Sequence, residues 1–434
     1  FMKKILLLII LLLIGGFLVI KKDYELNRNF VSVNGKRFFL NGKPYYFLGT
    51  NLWYGMNLGS KGESGDRQRL VNELDFLSNI GIKNLRVMAG SEGPDSEKWR
   101  IIPSLQSAPG EYNTDLLDGL DFLLYEMGKR NMKAIMCMNN FWHWSGGMAQ
   151  YVSWENETTI PYPPIEGEGD WQKFQEYASS FYSNKGAKDH YYNHIRFIVL
   201  RKNTYTGKLY RDDPTIMSWQ LGNEPRGINN REDFLDWIES SAHLIKEIDP
   251  NHLVTIGSEG STAHPSSGNN FIKDHESKYI DYTTIHIWIQ NWGWFDPSNE
   301  KSLSTSIDKV QTYINEHEEL AIKLNKPVVL EEFGISRDYN DYSSNSPITL
   351  RDKYFNEVFD IIFLKAKKGS PLAGSNFWAW GGFGRPSKPK SIWKKNDDFI
   401  GDPPHEFQGW YSIYNSDLST IRIIKCFALK FNDI

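Results

Sequence analysis

Only two cysteines occur in the 434 residues, so no disulfide framework holds this chain together. Cys137 lies inside the apolar run Ala134-Ile135-Met136-Cys137-Met138, and Cys426 in a last helical stretch from Ile423 to Leu429. Both are expected to be buried free thiols, because elements so placed would have to touch before a bridge could form. Positive charge is not in excess either. A formal net charge of −4 and an isoelectric point near 6.3 leave no basic footprint for phosphates, so nucleic acid is not an expected partner. No Gly-rich phosphate loop follows the first internal strand, which argues against a doubly wound nucleotide fold. No paired-Cys spacing marks a zinc site, and neither metal nor cofactor is expected. The interior also lacks low-complexity tracts, internal repeats and Pro- or Ser-rich linkers.

Aromatic residues are abundant, at 14% with 15 Trp and 22 Tyr. That exceeds what a core requires and suits a cleft that stacks flat, uncharged rings such as sugars. The chain opens with Lys3-Lys4 before an apolar run from Ile5 to Ile20, closed by Lys21-Lys22. Residues 1–22 therefore read as an export signal or membrane anchor apart from the fold. No small-x-small site follows, so an uncleaved anchor is preferred, and no Cys follows to carry a lipid. The expected location is secreted, periplasmic or membrane-anchored facing outside the cytoplasm, with membrane attachment through this segment and otherwise a monomer.

From Phe30 to Pro44 two Asn-Gly pairs between alternating apolar residues predict a short hairpin. Thereafter apolar strands alternate with helical stretches. The strands are expected at Tyr46 to Asn51, Asn84 to Ala89, Lys133 to Asn139, Ile216 to Gly222, Leu253 to Ser258, Tyr282 to Ile287, Pro327 to Glu332 and Gly374 to Trp380. Helices are expected, among others, at Arg67 to Asn79, Asp115 to Arg130, Arg231 to Ile248, Ser306 to Leu324 and Leu350 to Lys368. Strands apolar on both faces and interleaved with helices predict a (β/α)8 barrel, one catalytic domain over residues 27–434. Long inserts from Phe141 to about Trp171 and from Gly382 to Gln408 fall at the carboxyl ends of the third and eighth strands, where a barrel builds its site.

Polar and aromatic residues gather at those ends: Asn51 with Trp53 and Tyr54, Arg86, Asn139-Asn140 with Trp142, His143 and Trp144, Asn223-Glu224, Glu259, His286 with Trp288, Glu331-Glu332, and Trp378 with Trp380. Two carboxylates on separate strand tips suit retaining glycoside hydrolysis, which needs one protonated acid and one ionised nucleophile about 5 to 5.5 Å apart. A barrel that merely binds polysaccharide would keep the Trp platforms and lack one of the two carboxylates.

Asn223-Glu224-Pro225 with Arg86, His286 and Glu332-Phe333-Gly334 resembles glycoside hydrolase family 5. The stretches Asn139 to Gly147, Asn223 to Arg226 and His286 to Trp292 are similar to its endo-β-1,4-mannanase branch. The resemblance runs from about Phe30 to the C-terminus. It implies that Glu224 is the acid/base and Glu332 the nucleophile, that Asn223 binds the sugar 2-hydroxyl, and that Arg86 holds the nucleophile ionised. It further implies that Trp378 floors the central subsite, that Arg226 holds the leaving-group side, and that Trp53, Asn140, Trp142, His286 and Trp288 bind substrate. Trp288 stands where the family commonly has Tyr bonded to the nucleophile; an indole N–H can donate that bond but accept none. Glu331, one residue from Glu332, should face the other side of its strand, behind the barrel. The implied activity is endo-1,4-β-mannanase on mannan, glucomannan or galactomannan. A retaining endo-β-1,4-glucanase is the alternative, since gluco and manno selection rests on a few contacts to one hydroxyl.

Overall fold

The computed structural model describes residues 29–163, 170–262 and 264–434; the apolar segment over 1–22 and the first residues of the expected domain lie outside them. Among the described residues no helix is long and apolar enough to cross a membrane. The chain enters through β1 (Ser32–Asn34), β2 (Arg37–Leu40) and β3 (Lys43–Pro44), an antiparallel three-stranded sheet. The second turn joins Leu40 to Lys43 through Asn41 and Gly42, both at positive φ (56° and 75°), the conformation that makes Asn-Gly a hairpin signal.

The eight barrel strands are β4 (Phe47–Asn51), β5 (Asn84–Met88), β8 (Lys133–Cys137), β9 (Ile216–Gln220), β10 (Leu253–Thr255), β11 (Thr283–Ile287), β12 (Val328–Phe333) and β13 (Leu372–Phe377); short pairs β6 (Gln106–Ala108) with β7 (Glu111–Tyr112) and β14 (Trp380–Gly382) with β15 (Ile413–Tyr414) lie outside the barrel. Their spatial order is β10-β9-β8-β5-β4-β13-β12-β11, all parallel. The seam between β10 and β11 closes through Asp281 N to Val254 O (2.8 Å), Thr255 Oγ1 to Tyr282 O (2.9 Å), Thr284 Oγ1 to Ser258 O (2.8 Å) and His286 N to Glu259 O (3.0 Å). Helices between the strands cover the outside, the largest being Arg67–Asn79, Thr114–Lys129, Lys185–Val199, Arg231–Ile248, Ser302–Leu324, Thr349–Lys367 and Leu418–Asn432. The fold is thus the expected (β/α)8 barrel, its strand boundaries shifted by one to three residues.

Three corrections bear on the site. Among the described residues the insert after the third strand carries the helix Gly147–Asn156, and Trp171–Ser179 follows it ahead of Lys185–Val199. The eighth strand stops at Phe377, so Trp380 is not on the same strand face as Trp378. Its fully buried indole instead donates to Glu73 on the helix Arg67–Asn79 and ties the loop to the barrel wall. Cys137 is buried and free, but Cys426 is exposed, because it falls on the solvent side of a helix whose inward face is Ile424, Phe427, Ala428 and Phe431.

The interior is layered. At the amino end Phe47, Ile135, Met217, Leu253, Tyr282, Val329 and Ala373 meet Val31, Phe38 and Tyr45 of the hairpin sheet, which plugs the barrel floor. Above them Asn376 donates to Asn84 (3.0 Å) and Ser218 pairs with Tyr282 (2.8 Å). The top layer is charged. Polarity rises towards the carboxyl ends because only there does a ligand replace the neighbours a buried polar group needs.

Gly257, just past β10, sits at φ +86°, and a Cβ there would lie 2.0 Å from Gly222 O and 2.7 Å from the Gln220 side chain. Its carbonyl accepts the Glu224 N–H at 2.9 Å. Gly257→Ala should therefore cost about 1 to 2 kcal/mol from conformation alone and more from the clash, and should also displace Glu224. A chemical-unfolding midpoint equal to wild type would contradict this.

Candidate active site

Arg86, from β5, is 4% exposed and occupies the barrel axis. Its Nε donates to Gln220 Oε1 (2.8 Å), Nη1 to Asn51 Oδ1 (3.0 Å) and to Glu332, and Nη2 to Asn223 Oδ1 (2.7 Å). Asn51 in turn donates to the carbonyls of Glu331 (2.8 Å) and Phe377 (3.2 Å), so the guanidinium is held by side chains from β4, from β9 and its tip, and from β12.

Glu224 follows β9 in a left-handed conformation, φ +50°, a costly state for a side chain of this size and one that marks functional sites. Its carboxylate accepts from Trp142 Nε1 at 2.6 Å, His286 Nδ1 at 2.7 Å and Trp288 Nε1 at 3.3 Å. Trp288 thus bonds the Glu224 carboxylate and not Glu332, where the resemblance places the contact. His286 Nδ1 is also 3.4 Å from Glu332 Oε2, and one atom from each of Glu224, His286 and Glu332 lies within 4.8 Å of the others. That proximity would suit a cation, yet Arg86 and His286 already supply positive charge to both carboxylates.

Glu331 does not lie behind the barrel. It is fully buried inside, taking a bond from Gln220 Nε2 at 2.5 Å, with Oε2 3.8 Å from Arg86 Nε and 3.9 Å from His286 Nε2. The reason is a register shift: Ile285 pairs with Leu330 but His286 pairs with Glu332, leaving Glu331 as the extra residue of a β-bulge. A bulge re-aims side chains, so Glu331 and Glu332 both reach the axis, Glu332 at the mouth and Glu331 beneath it.

The electrostatics of the unliganded site run opposite to the expected order. Burial raises the Glu224 carboxyl, but the His286 hydrogen bond and charge, then Arg226 and the Trp142 bond, outweigh it and hold the group down at about 2. Burial pushes Glu332 up to about 7 against His286 and Arg86. Burial opposes the charged form of His286, but Glu332 and the hydrogen bond to Glu224 raise it to about 10. Glu224 collects more donors than Glu332, and that decides the difference. These groups titrate as one cluster.

Arg226 is neither a surface ion pair nor open to the cleft. Its Nε and Nη2 grip Glu259 (2.8 and 3.0 Å), Nη1 donates to Gln175 (2.9 Å), and the guanidinium lies 4.9 Å over the Trp142 ring. Asn140 is fully buried, accepting from Asn223 Nδ2 (3.1 Å) and Trp142 N (3.0 Å) and donating to Ser145 (3.1 Å). It orients Asn223 and is not open to a ligand. Trp53 is likewise buried, donating to Gly401 O at 2.9 Å and edged by Trp144 and Phe399. Trp378 sits 6.0 Å from Trp288 and 6.4 Å from Trp144 in the cleft wall.

The loop after β13 contributes residues with no motif to announce them. Glu406 Oε2 is shielded and without a hydrogen-bond partner among the described residues; burial, then the charges of Asp402, Glu332 and Glu224, pushes its carboxyl up. His405 rests on His143 with ring centroids 5.0 Å apart. One His-x-x-x-His spacing does occur, His190 and His194 on the helix Lys185–Val199, but the rings part: His190 turns to Glu155 (3.2 Å) and His194 to Ala89 O (3.1 Å). It is not a metal pair.

Residues 28–434 match the family model described as glycoside hydrolase family 5 β-mannosidase-like. The chain is 33% identical over 365 residues to mannan endo-1,4-beta-mannosidase 1 of Arabidopsis thaliana, covering 80% of this chain and 81% of that one. Its fold superposes on a glycoside hydrolase family 5 mannosidase of Rhizomucor miehei with TM-score 0.87 at 39% identity, over 94% of this chain and 98% of that one. The fold is also shared with an endo-1,4-beta-mannanase of Rhizomucor miehei, TM-score 0.68 at 24% identity, covering 93% of this chain and 100% of that one.

If the proton balance of the cluster rests on His286, then His286→Asn should narrow the pH profile of turnover from both sides. Losing its positive charge raises the Glu332 carboxyl, so the acid limb moves to higher pH. Losing its proton leaves Glu224 alone to hold one, so the basic limb moves down. A profile of unchanged width would refute the coupling.

Proposed function

The chain belongs to glycoside hydrolase family 5, in its β-mannosidase-like group, and from that premise we propose that it hydrolyses internal β-1,4-mannosidic bonds of mannan, glucomannan or galactomannan with net retention. The observation that carries the reading is the approach of Glu224 and Glu332, one carboxylate oxygen of each lying within 4.8 Å of the other and both facing His286 Nδ1. That spacing suits direct attack by a carboxylate and leaves no room for the water that inversion inserts at roughly 6.5 to 9.5 Å.

In this reading Glu332, oriented by Arg86, attacks the anomeric carbon. The C–O bond to the leaving sugar breaks with its electron pair going to oxygen, which takes a proton from Glu224. Water then attacks the mannosyl ester, its proton goes to Glu224, and the Glu332 carboxylate is released. The proton for the first step is at hand. The His286 Nδ1 proton lies across a 2.7 Å bond from Glu224 Oε1, and its transfer yields a protonated Glu224 and a neutral imidazole without changing the charge of the site. Asn223 accepts from Arg86 through Oδ1 and donates one Nδ2 hydrogen to Asn140, which leaves its second amide N–H to read the 2-hydroxyl. Export, with attachment through the N-terminal apolar segment and a monomeric catalytic unit, belongs to the same proposal, since a polymer substrate is met outside the cytoplasm.

Manno selection is tested on manno- and cello-oligosaccharides of equal length. A hydrogen bond that one epimer leaves unmade costs roughly 1 to 3 kcal/mol, hence a preference for the manno series of about ten- to a hundredfold in kcat/KM; a ratio at or below one would favour the glucanase alternative. Glu332→Ala should abolish turnover without loss of folding, with azide restoring cleavage of an activated aryl mannoside as an inverted product. Glu224→Ala should hurt poor leaving groups far more than good ones. Uniform losses across leaving groups would remove Glu224 from the acid role.

A further inference from the structure

We infer that Trp171 is a sugar-binding platform on the leaving-group side of the cleft, seating a neutral hexopyranose ring beyond the bond that is cleaved; the inference rests on the function proposed above. Trp171 is 40% exposed, whereas Trp142 and Trp288 are half-buried and Trp144 and Trp378 are buried. Its position points to the side: Trp142 bonds Glu224 Oε2, whereas Trp288 and His286 bond Oε1, and His286 also faces Glu332. Trp142 donates to Glu224, the group that protonates the leaving oxygen, and Trp171 stands 5.8 Å from Trp142 with its ring plane turned by 82°. The two indoles form a corner one ring outward from the acid/base. Trp288, Trp378 and Tyr411 cluster separately, with centroids 5.1 to 6.0 Å apart.

The corner is built and braced. Trp171 opens the helix Trp171–Ser179, whose N-cap Asp170 accepts the N–H groups of Gln172 (2.9 Å) and Lys173 (3.2 Å). Phe174 and Gln175, three and four residues on, share the Trp171 face of that helix. Phe174 stacks on Trp142 at 6.4 Å and 17°, and Gln175 accepts from Arg226, itself clamped by Glu259 and lying over Trp142. Arg226 therefore serves the leaving-group side indirectly, as a positioning residue that locks this helix and Trp142 together. A face that seats its neighbours so firmly yet leaves an indole open to water forgoes burial. A pyranose presents an apolar C–H face and a rim of hydroxyls, which is the surface that would cover such a ring.

The test compares Trp171→Ala and Trp171→Phe with wild type on mannohexaose and on β-mannobiosyl fluoride, whose leaving group is too small to reach the platform. Trp171→Ala should lower kcat/KM on mannohexaose about tenfold and leave the fluoride within about twofold, with Trp171→Phe recovering most of the loss. Equal losses on both substrates would show that Trp171 acts by supporting Trp142 and Glu224, and no loss on either would show an idle ring; both overturn the inference. Wild type reports separately on the function: if it cleaves cellohexaose and not mannohexaose, the mannanase reading falls, and the same variants on cellohexaose and β-cellobiosyl fluoride decide the platform.

Discussion

The buried guanidinium of Arg86 is the constraint on which the site depends. A cation on the axis of a barrel is tolerable only when fully hydrogen-bonded and matched by negative charge, and Arg86 meets that condition with Gln220, Asn51, Asn223 and Glu332. The partners come from β4, from β9 and its tip, and from β12, so satisfying one charge on β5 fixes the relative placement of β4, β5, β9 and β12. The same bonds set the direction of Asn223 and hence of Glu224 beside it. Fold and site are one network here, because removing the guanidinium would leave Glu332 and Glu331 buried without it.

The barrel was legible in the sequence because its strands are short runs apolar on both faces, a pattern that fixes their number and order. The strand tips were legible for a related reason: polar residues ending apolar strands have nowhere to go but the cleft. What could not be read were departures from strict alternation. Glu331 turns inward because of one bulge opposite Ile285 and His286, and period-two reasoning placed it outside. Arg226, Asn140 and Trp53 sit where the motifs place them, but their hydrogen-bonding capacity is spent on protein partners, which spacing cannot reveal. His405 and Glu406 lie on a loop with no periodicity at all.

The aromatic surplus divides in the same manner. Trp219, Trp237 and Trp380 are fully buried and belong to the wall of the barrel, each large ring filling space between helix and strand. Trp142 and Trp288 use their N–H groups as donors to Glu224. Trp378 is buried against Trp144 and Trp288, whereas Trp171 leaves its ring open. An indole can fill any of these roles because it joins a large apolar body to one directional donor, so composition alone indicates that sugar rings could be stacked without saying which indoles do so.

The charge balance of the cleft bears most directly on turnover. Glu224, Glu259, Glu331, Glu332 and Glu406 face Arg86, Arg226 and His286, so carboxylates outnumber cations where water is sparse. Such a cluster resists full ionisation, since burial and each added negative charge raise the remaining carboxyls; Glu332 and Glu406 are pushed up first by burial and then by neighbouring carboxylates. The acid that breaks a glycosidic bond must be a protonated carboxyl at a pH where carboxyls are normally ionised. An excess of acidic groups around a fixed set of cations keeps a proton within the cluster, and in this site His286 holds it in place of Glu224. The single 2.7 Å bond from His286 Nδ1 to Glu224 Oε1 then offers that proton a path to the carboxylate.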